Sequence, residues 1–131
     1  MNEIRIKSKE NGVSLSLSFP SSIEDNAPQT GLFIFAGGVA SGKLTLAQTT
    51  MKQFNTEAAL YEELRNRDMA LECLEKSKLK LCFATIHAES KSDVLETLKE
   101  LGLLESMHQI KAIHYCNRVG QTLESQQLEL E

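Results

Sequence analysis

The sequence predicts an α/β domain, with a mostly parallel sheet flanked by helices and an antiparallel β-hairpin in front of it. Short apolar runs, "GLFIFAG" and "LKLCFATIH", alternate with stretches whose apolar residues recur at helical spacing. A glycine-rich turn joins the first run directly to its helix. Residues 4 to 19 instead alternate apolar and polar side chains around an Asn-Gly pair.

Each element follows from local pattern. Ile4 and Ile6 alternate with Arg5 and Lys7, and Asn11-Gly12 offers a turn with positive φ. Val13, Leu15, Leu17 and Phe19 then alternate with Ser14, Ser16 and Ser18, the period of an antiparallel strand with one wet face. "PSSIEDNAPQTG" is rich in turn formers and reads as a connecting loop. The continuous apolar run of "GLFIFAG" suits a strand buried on both faces. Leu44, Ala47, Met51 and Phe54 place a helix start near Gly42.

Residues 57 to 77 form a second helical zone through Leu60, Leu64, Leu71 and Leu74, whose start is ambiguous, because "EAALYEEL" could instead be a short strand. "LKLCFATIH" is the next strand. Val94, Leu95, Leu98 and Leu101 define an amphipathic helix stopped by Gly102. A last helix is expected from about Glu105 to Cys116. The closing "LESQQLELE" reads as a solvated tail or a closing strand. The expected organisation is one domain: hairpin and loop over 1–30, an α/β core over 31–120 and an acidic tail over 121–131.

Composition narrows the function. With 131 residues, 41% hydrophobic and 24% charged, the chain has the profile of a globular protein with a real core. A net charge of −4, no Trp and few aromatic residues argue against nucleic-acid binding. The three cysteines, Cys73, Cys82 and Cys116, have no C-x-x-C spacing, so neither a disulfide framework nor a zinc site is expected. His108 and His114 read as surface or helix-packing residues with no suitably spaced partner for a metal. No apolar run is long enough to span a bilayer, and the start lacks the apolar stretch of a secretory signal. A cytoplasmic location follows as the expectation, with room for contact with a membrane complex.

"FIFAGGVASGKLTLAQ" nearly matches the phosphate-binding pattern G-x-x-x-x-G-K-[ST]. Such a site needs a buried strand, a glycine-permitted turn and a helix whose first N–H groups face an anion. Gly37, Gly38, Ser41, Gly42 and Lys43, with Thr45 in the first helical turn, are the candidate phosphate-binding residues. Lys43 is placed to bring its ammonium to a β- or γ-phosphate. The departure is Leu44, which stands where a Ser or Thr hydroxyl holds Mg²⁺. Thr45 does not substitute, because one helical residue rotates the side chain by about 100°. The plain alternative is a glycine-rich turn that binds nothing.

A second stretch, "LCFATIHAESKSDVLETLKELGL", resembles the histidine box of the type II and type IV secretion and pilus ATPases, which include assembly, retraction and conjugation motors. The matching residues are Thr85, Ile86, His87 and Ala88, followed by Leu98 and Gly102. "LYEELRNRDMALECLEKSK" is similar to that family's Walker B region, with Glu63 on the glutamate, Arg65 on the arginine, Asn66 replacing the aspartate and Glu62 replacing the glycine. "HYCNRVGQTLE" loosely echoes a late Q-x-L segment, and the hairpin ending in Phe19-Pro20 resembles the strand pair before the phosphate loop.

The resemblance implies a reduced RecA-like P-loop core that binds ATP or ADP. It implies that Glu63 polarises an attacking water and that His87 contacts the γ-phosphate side. The plain alternatives are a solvated run of Glu57, Glu62, Glu63 and Arg65, and a structural histidine ending a strand. The interval from Lys43 to His87 is much shorter than in the family, so the aspartate box and its arginines have no counterpart. With the metal hydroxyl also replaced, Mg²⁺ binding is expected to be weak and efficient hydrolysis is not expected.

Three functions are compatible with these residues. The first is a degenerate, non-hydrolysing accessory or regulatory component of a pilus, conjugation or secretion system, docked on a full-length motor subunit. The second is a compact ATPase acting by self-association. The third is a small α/β interaction module without nucleotide.

Overall fold

The computed structural model describes residues 3–10, 13–20, 30–38, 41–54, 58–119 and 122–128, which form seven strands and three α-helices. The chain opens with β1 (Glu3–Glu10) and β2 (Val13–Pro20), paired antiparallel from Glu3↔Pro20 to Glu10↔Val13. The expected hairpin is therefore present, while its Asn11-Gly12 turn and the connecting loop over 21–29 lie outside the described residues.

β3 (Gly31–Gly37) is buried at every position, as its unbroken apolar run requires of a central strand. It leads into α1 (Lys43–Phe54). The ambiguous stretch that follows resolves as a short strand, β4 (Ala59–Tyr61), and the helix proper, α2 (Arg67–Ser77), starts later. Asn66 separates them: its side chain accepts a hydrogen bond from Met69 N at 2.9 Å, capping α2. β5 (Leu81–His87) and α3 (Lys91–Glu100) follow, with Ser90 capping α3 by accepting from Asp93 N. Gly102, at φ 75°, adopts the left-handed conformation that stops this helix, as expected.

The last expected helix is overturned. Residues Leu103–Gln109 form a 3₁₀ segment, and Ile110–Val119 is a strand, β6. Its residues Ala112, Ile113, His114 and Cys116 are buried on both faces of the sheet, so no alternation marks it as a strand. β7 (Thr122–Gln127) pairs antiparallel with β6, which makes a strand of most of the acidic closing segment.

The sheet runs β1-β2-β7-β6-β3-β5-β4. Its β6-β3-β5-β4 portion is parallel throughout. The hairpin joins this core through β7, where Ser14, Leu15 and Ser16 of β2 pair parallel with Thr122, Leu123 and Glu124.

Alternate residues of β3 pack into opposite layers. Leu32, Ile34 and Ala36 join Ala70, Cys73 and Leu74 of α2 and Val94 and Leu98 of α3. Phe33 and Phe35 join Leu46 and Ala47 of α1 with Phe83 of β5. Phe33 and Phe83 stack at 5.3 Å between ring centroids. Helices thus cover both faces of the parallel strands, and the carboxyl ends of those strands share one edge, the usual location of a ligand crevice.

Candidate functional site

At the carboxyl end of β3 the chain turns through Gly37, Gly38, Ser41 and Gly42 into α1, with residues 39 and 40 outside the described set. Gly42 has φ 83°, a conformation open to glycine at little cost. A Cβ on Gly37 would fall on the Ser41 side chain and 2.8 Å from the Cys116 carbonyl oxygen of β6. The turn is therefore packed against its neighbouring strand, and only glycine fits there. Ser41 N donates to Gly38 O at 3.3 Å, and Leu46 N to Gly42 O at 2.9 Å, which begins the helical ladder.

Two polar groups are held in this turn. Lys43 Nζ donates to Gly38 O at 3.3 Å, so the ammonium folds back over the loop. Ser41 is only 7% exposed, and its Oγ has no hydrogen-bond partner among the described residues. A buried hydroxyl left in this way costs about 1–3 kcal/mol, a cost that an acceptor entering the loop would remove. The first amides of α1 lack intrahelical partners, and its first turn carries no acidic side chain. The donor set suits an anion. It does not suit Mg²⁺, since Leu44 is half-buried and offers no oxygen.

β5 brings His87 to the same level: it pairs with Gly37, and Ala88 N donates to Gly37 O at 3.0 Å. The His87 ring is exposed at the strand end, with Nε2 at 2.7 Å from Glu89 Oε1. Glu63 is placed differently. β5 lies between β4 and β3, so Glu63 follows a strand about 10 Å from β3. Thr85 Oγ1 donates to Glu62 O and Leu64 N donates to Thr85 O, pinning the chain after β4 to β5. Arg65 Nε donates to Glu63 Oε2 at 2.7 Å.

Glu63 and His87 instead share a cleft of about 610 Å³ with Arg65, Asp93, Glu96 and Glu100, and no described residue of the turn from Gly37 to Lys43 lines it. The structure thus gathers Gly37, Gly38, Ser41, Gly42, Lys43 and His87 at one sheet edge and leaves Glu63 to one side. Thr45 sits in the first turn of α1, where its carbonyl accepts from Thr49 Oγ1 at 2.9 Å.

Of the remaining histidines, His108 is exposed on the 3₁₀ segment, whereas His114 is fully buried in β6 rather than on a surface or helix. Among the described residues no three His, Cys, Asp or Glu side chains converge to hold a metal ion. Burial pushes the Cys116 thiol pKa well up, opposed by the charge of Lys43 nearby. Glu89 and Tyr115 were not singled out by sequence pattern. Glu89 follows Thr-Ile-His-Ala directly, and that adjacency is the one local signal it carries.

No family model matches the chain, and no curated protein does. Among solved structures, the X-ray structure of the Legionella pneumophila ATPase DotB aligns with a TM-score of 0.57 over 96% of this chain, at 13% identity. The likeness is one of fold. The chain spans 61% of the DotB chain, so it corresponds to part of that ATPase. Its four parallel strands, with the glycine turn at the end of β3, match a reduced RecA-like P-loop core. No described helix is long and apolar enough to cross a membrane.

Proposed function

We propose that this chain is a reduced, non-hydrolysing relative of the secretion and pilus ATPases that keeps a phosphate- or nucleotide-binding loop. In this reading it serves a pilus, conjugation or type II/IV secretion system as an accessory or regulatory component, docked on a full-length motor subunit at the cytoplasmic face of the complex. The observation that carries binding is a buried Ser41 hydroxyl with no partner among the described residues, in the turn onto whose Gly38 carbonyl the Lys43 ammonium folds and where only glycine fits at position 37. Sequence resemblance in two separate stretches, together with the fold shared with DotB, supports the relation to motors.

Hydrolysis is a different matter. Phosphoryl transfer depends on metal, cations and a positioned water, and arginines of this kind contribute factors of about 10³–10⁵ in rate. Here Leu44 replaces the metal hydroxyl, and Arg65 is occupied by Glu63 away from the loop. Thr45 does not restore the hydroxyl, since its position lies one residue further round the helix.

The test is a thermal-shift titration with ADP and ATP, paired with a phosphate-release assay. A ligand at 100 times its dissociation constant stabilises by about 2.7 kcal/mol, and Lys43→Ala should abolish that shift. Phosphate release from the wild-type protein should match that of Lys43→Ala. Release above that of the variant would identify a working ATPase, and no shift with either nucleotide would leave a turn that binds nothing.

A further inference from the structure

We infer that Glu89 sets the length of phosphate chain this site prefers, favouring a nucleoside diphosphate over the triphosphate. The inference rests on the phosphate-site reading above and assigns a residue that takes no part in the motif itself.

Glu89 lies just beyond β5, and its carboxylate is set against the loop: Oε2 is 3.1 Å from where a Cβ on Gly38 would stand. The other oxygen, Oε1, is 2.7 Å from His87 Nε2. One oxygen is therefore held by the imidazole while the other rests over the glycine turn. The backbone beneath it is fixed from three sides. Ala88 N donates to Gly37 O at 3.0 Å, Glu89 N donates to Asp93 Oδ2 at 3.1 Å, and Tyr115 Oη donates to Glu89 O at 3.2 Å. These bonds tie residues 88 and 89 to β3, α3 and β6, so the backbone that carries the carboxylate is held beside the loop while the side chain itself faces solvent.

Gly38 is consequently flanked by opposite charges. Lys43 Nζ reaches its carbonyl, and Glu89 lies on its Cα side. An anion anchored at the α1 amides extends outward over the carboxyl ends of the strands. On the β5 side it approaches the Glu89 carboxylate, which stands over Gly38, and Asp93, which accepts from Glu89 N. A diphosphate satisfies the Ser41 hydroxyl, the amides and Lys43 without reaching past Gly38. A third phosphate adds negative charge beside a carboxylate, and the cation that would bridge the two has no hydroxyl at Leu44 to hold it.

Isothermal titration of the full chain with inorganic phosphate, ADP and ATP in divalent-free buffer tests this. Wild-type protein should bind ADP about tenfold more tightly than ATP, the scale of one screened charge repulsion. Glu89→Gln should tighten ATP by about tenfold and change ADP by less than about threefold. If ATP binds the wild type as tightly as ADP, or the ratio is unchanged in Glu89→Gln, while Lys43→Ala abolishes binding, the role of Glu89 is overturned and the phosphate site stands. If none of the three ligands binds either wild type or Glu89→Gln, the phosphate site falls and this inference with it.

Discussion

Phe35 and His114 stack with ring centroids 5.1 Å apart and planes inclined by 17°, as direct partners across β3 and β6. Burial lowers the His114 pKa from 6.5 to about 4, so the ring is neutral in the folded protein near neutral pH. The unfolded chain takes up the proton first as pH falls. The stability contributed by the neutral ring is therefore complete above about pH 6.5 and is lost on the way down to about pH 4, by roughly 3 kcal/mol in all. Urea denaturation between about pH 7 and about pH 4.5 should record this decline, and His114→Phe should flatten it. An equally steep decline in the variant would assign the effect to other groups.

Gly37→Ala should damage the loop and the fold together. The added methyl meets the Ser41 side chain and the Cys116 carbonyl oxygen at 2.8 Å, and backbone of a central sheet has little room to move. Overpacking of this kind costs about 1–3 kcal/mol. Differential scanning calorimetry should show a lowered Tm, and the ADP-dependent shift should disappear. A variant with wild-type Tm and nucleotide response would mean that the turn is looser than described.

Leu44→Thr restores the hydroxyl at the position that ordinarily holds Mg²⁺. Binding of ADP should then tighten on adding Mg²⁺ by several-fold, where the wild type shows little change. Calorimetric titration with and without the metal reads this directly. Phosphate release should stay at background, because one metal ligand supplies neither the cations nor the positioned water that phosphoryl transfer needs. Turnover in Leu44→Thr alone would locate the whole catalytic defect at that side chain.

Asn66→Ala separates capping from chemistry. Asn66 stands where the resemblance to secretion ATPases implies an aspartate, and its side chain accepts from Met69 N at the start of α2. Loss of the cap should cost about 1 kcal/mol in equilibrium unfolding. The nucleotide-induced thermal shift should be unchanged in size. A selective loss of that shift would return Asn66 to the ligand site.

Local pattern made the strand-turn-helix at β3 and α1 readable, because burial on both faces gives "GLFIFAG" its unbroken apolar run and Gly42 marks the turn. Gly102 marked the end of α3 in the same way. β6 reads as a helix along the sequence because a strand buried on both sides loses the alternation that separates the two, and Ala112, Ile113 and His114 are all inside. β4 stayed ambiguous because a three-residue strand carries too little period to read. The neighbours of the glycine turn depend on register. That His87 stands beside Gly37 and Glu89 over Gly38 follows from the pairing of β3 with β5, which no window along the chain contains. The separation of Glu63 from the loop likewise comes from β5 inserting between two strands that precede it.

The junction of β2 with β7 ties an early strand to a late one, since Ser14 pairs with Thr122. As the protein leaves the ribosome, the hairpin can zip by itself, but its docking edge does not exist until β7 has been synthesised. During that interval the nascent chain carries an open strand edge for which another polypeptide can compete, and the pairing that covers it closes a long loop, a contact of the kind that forms late.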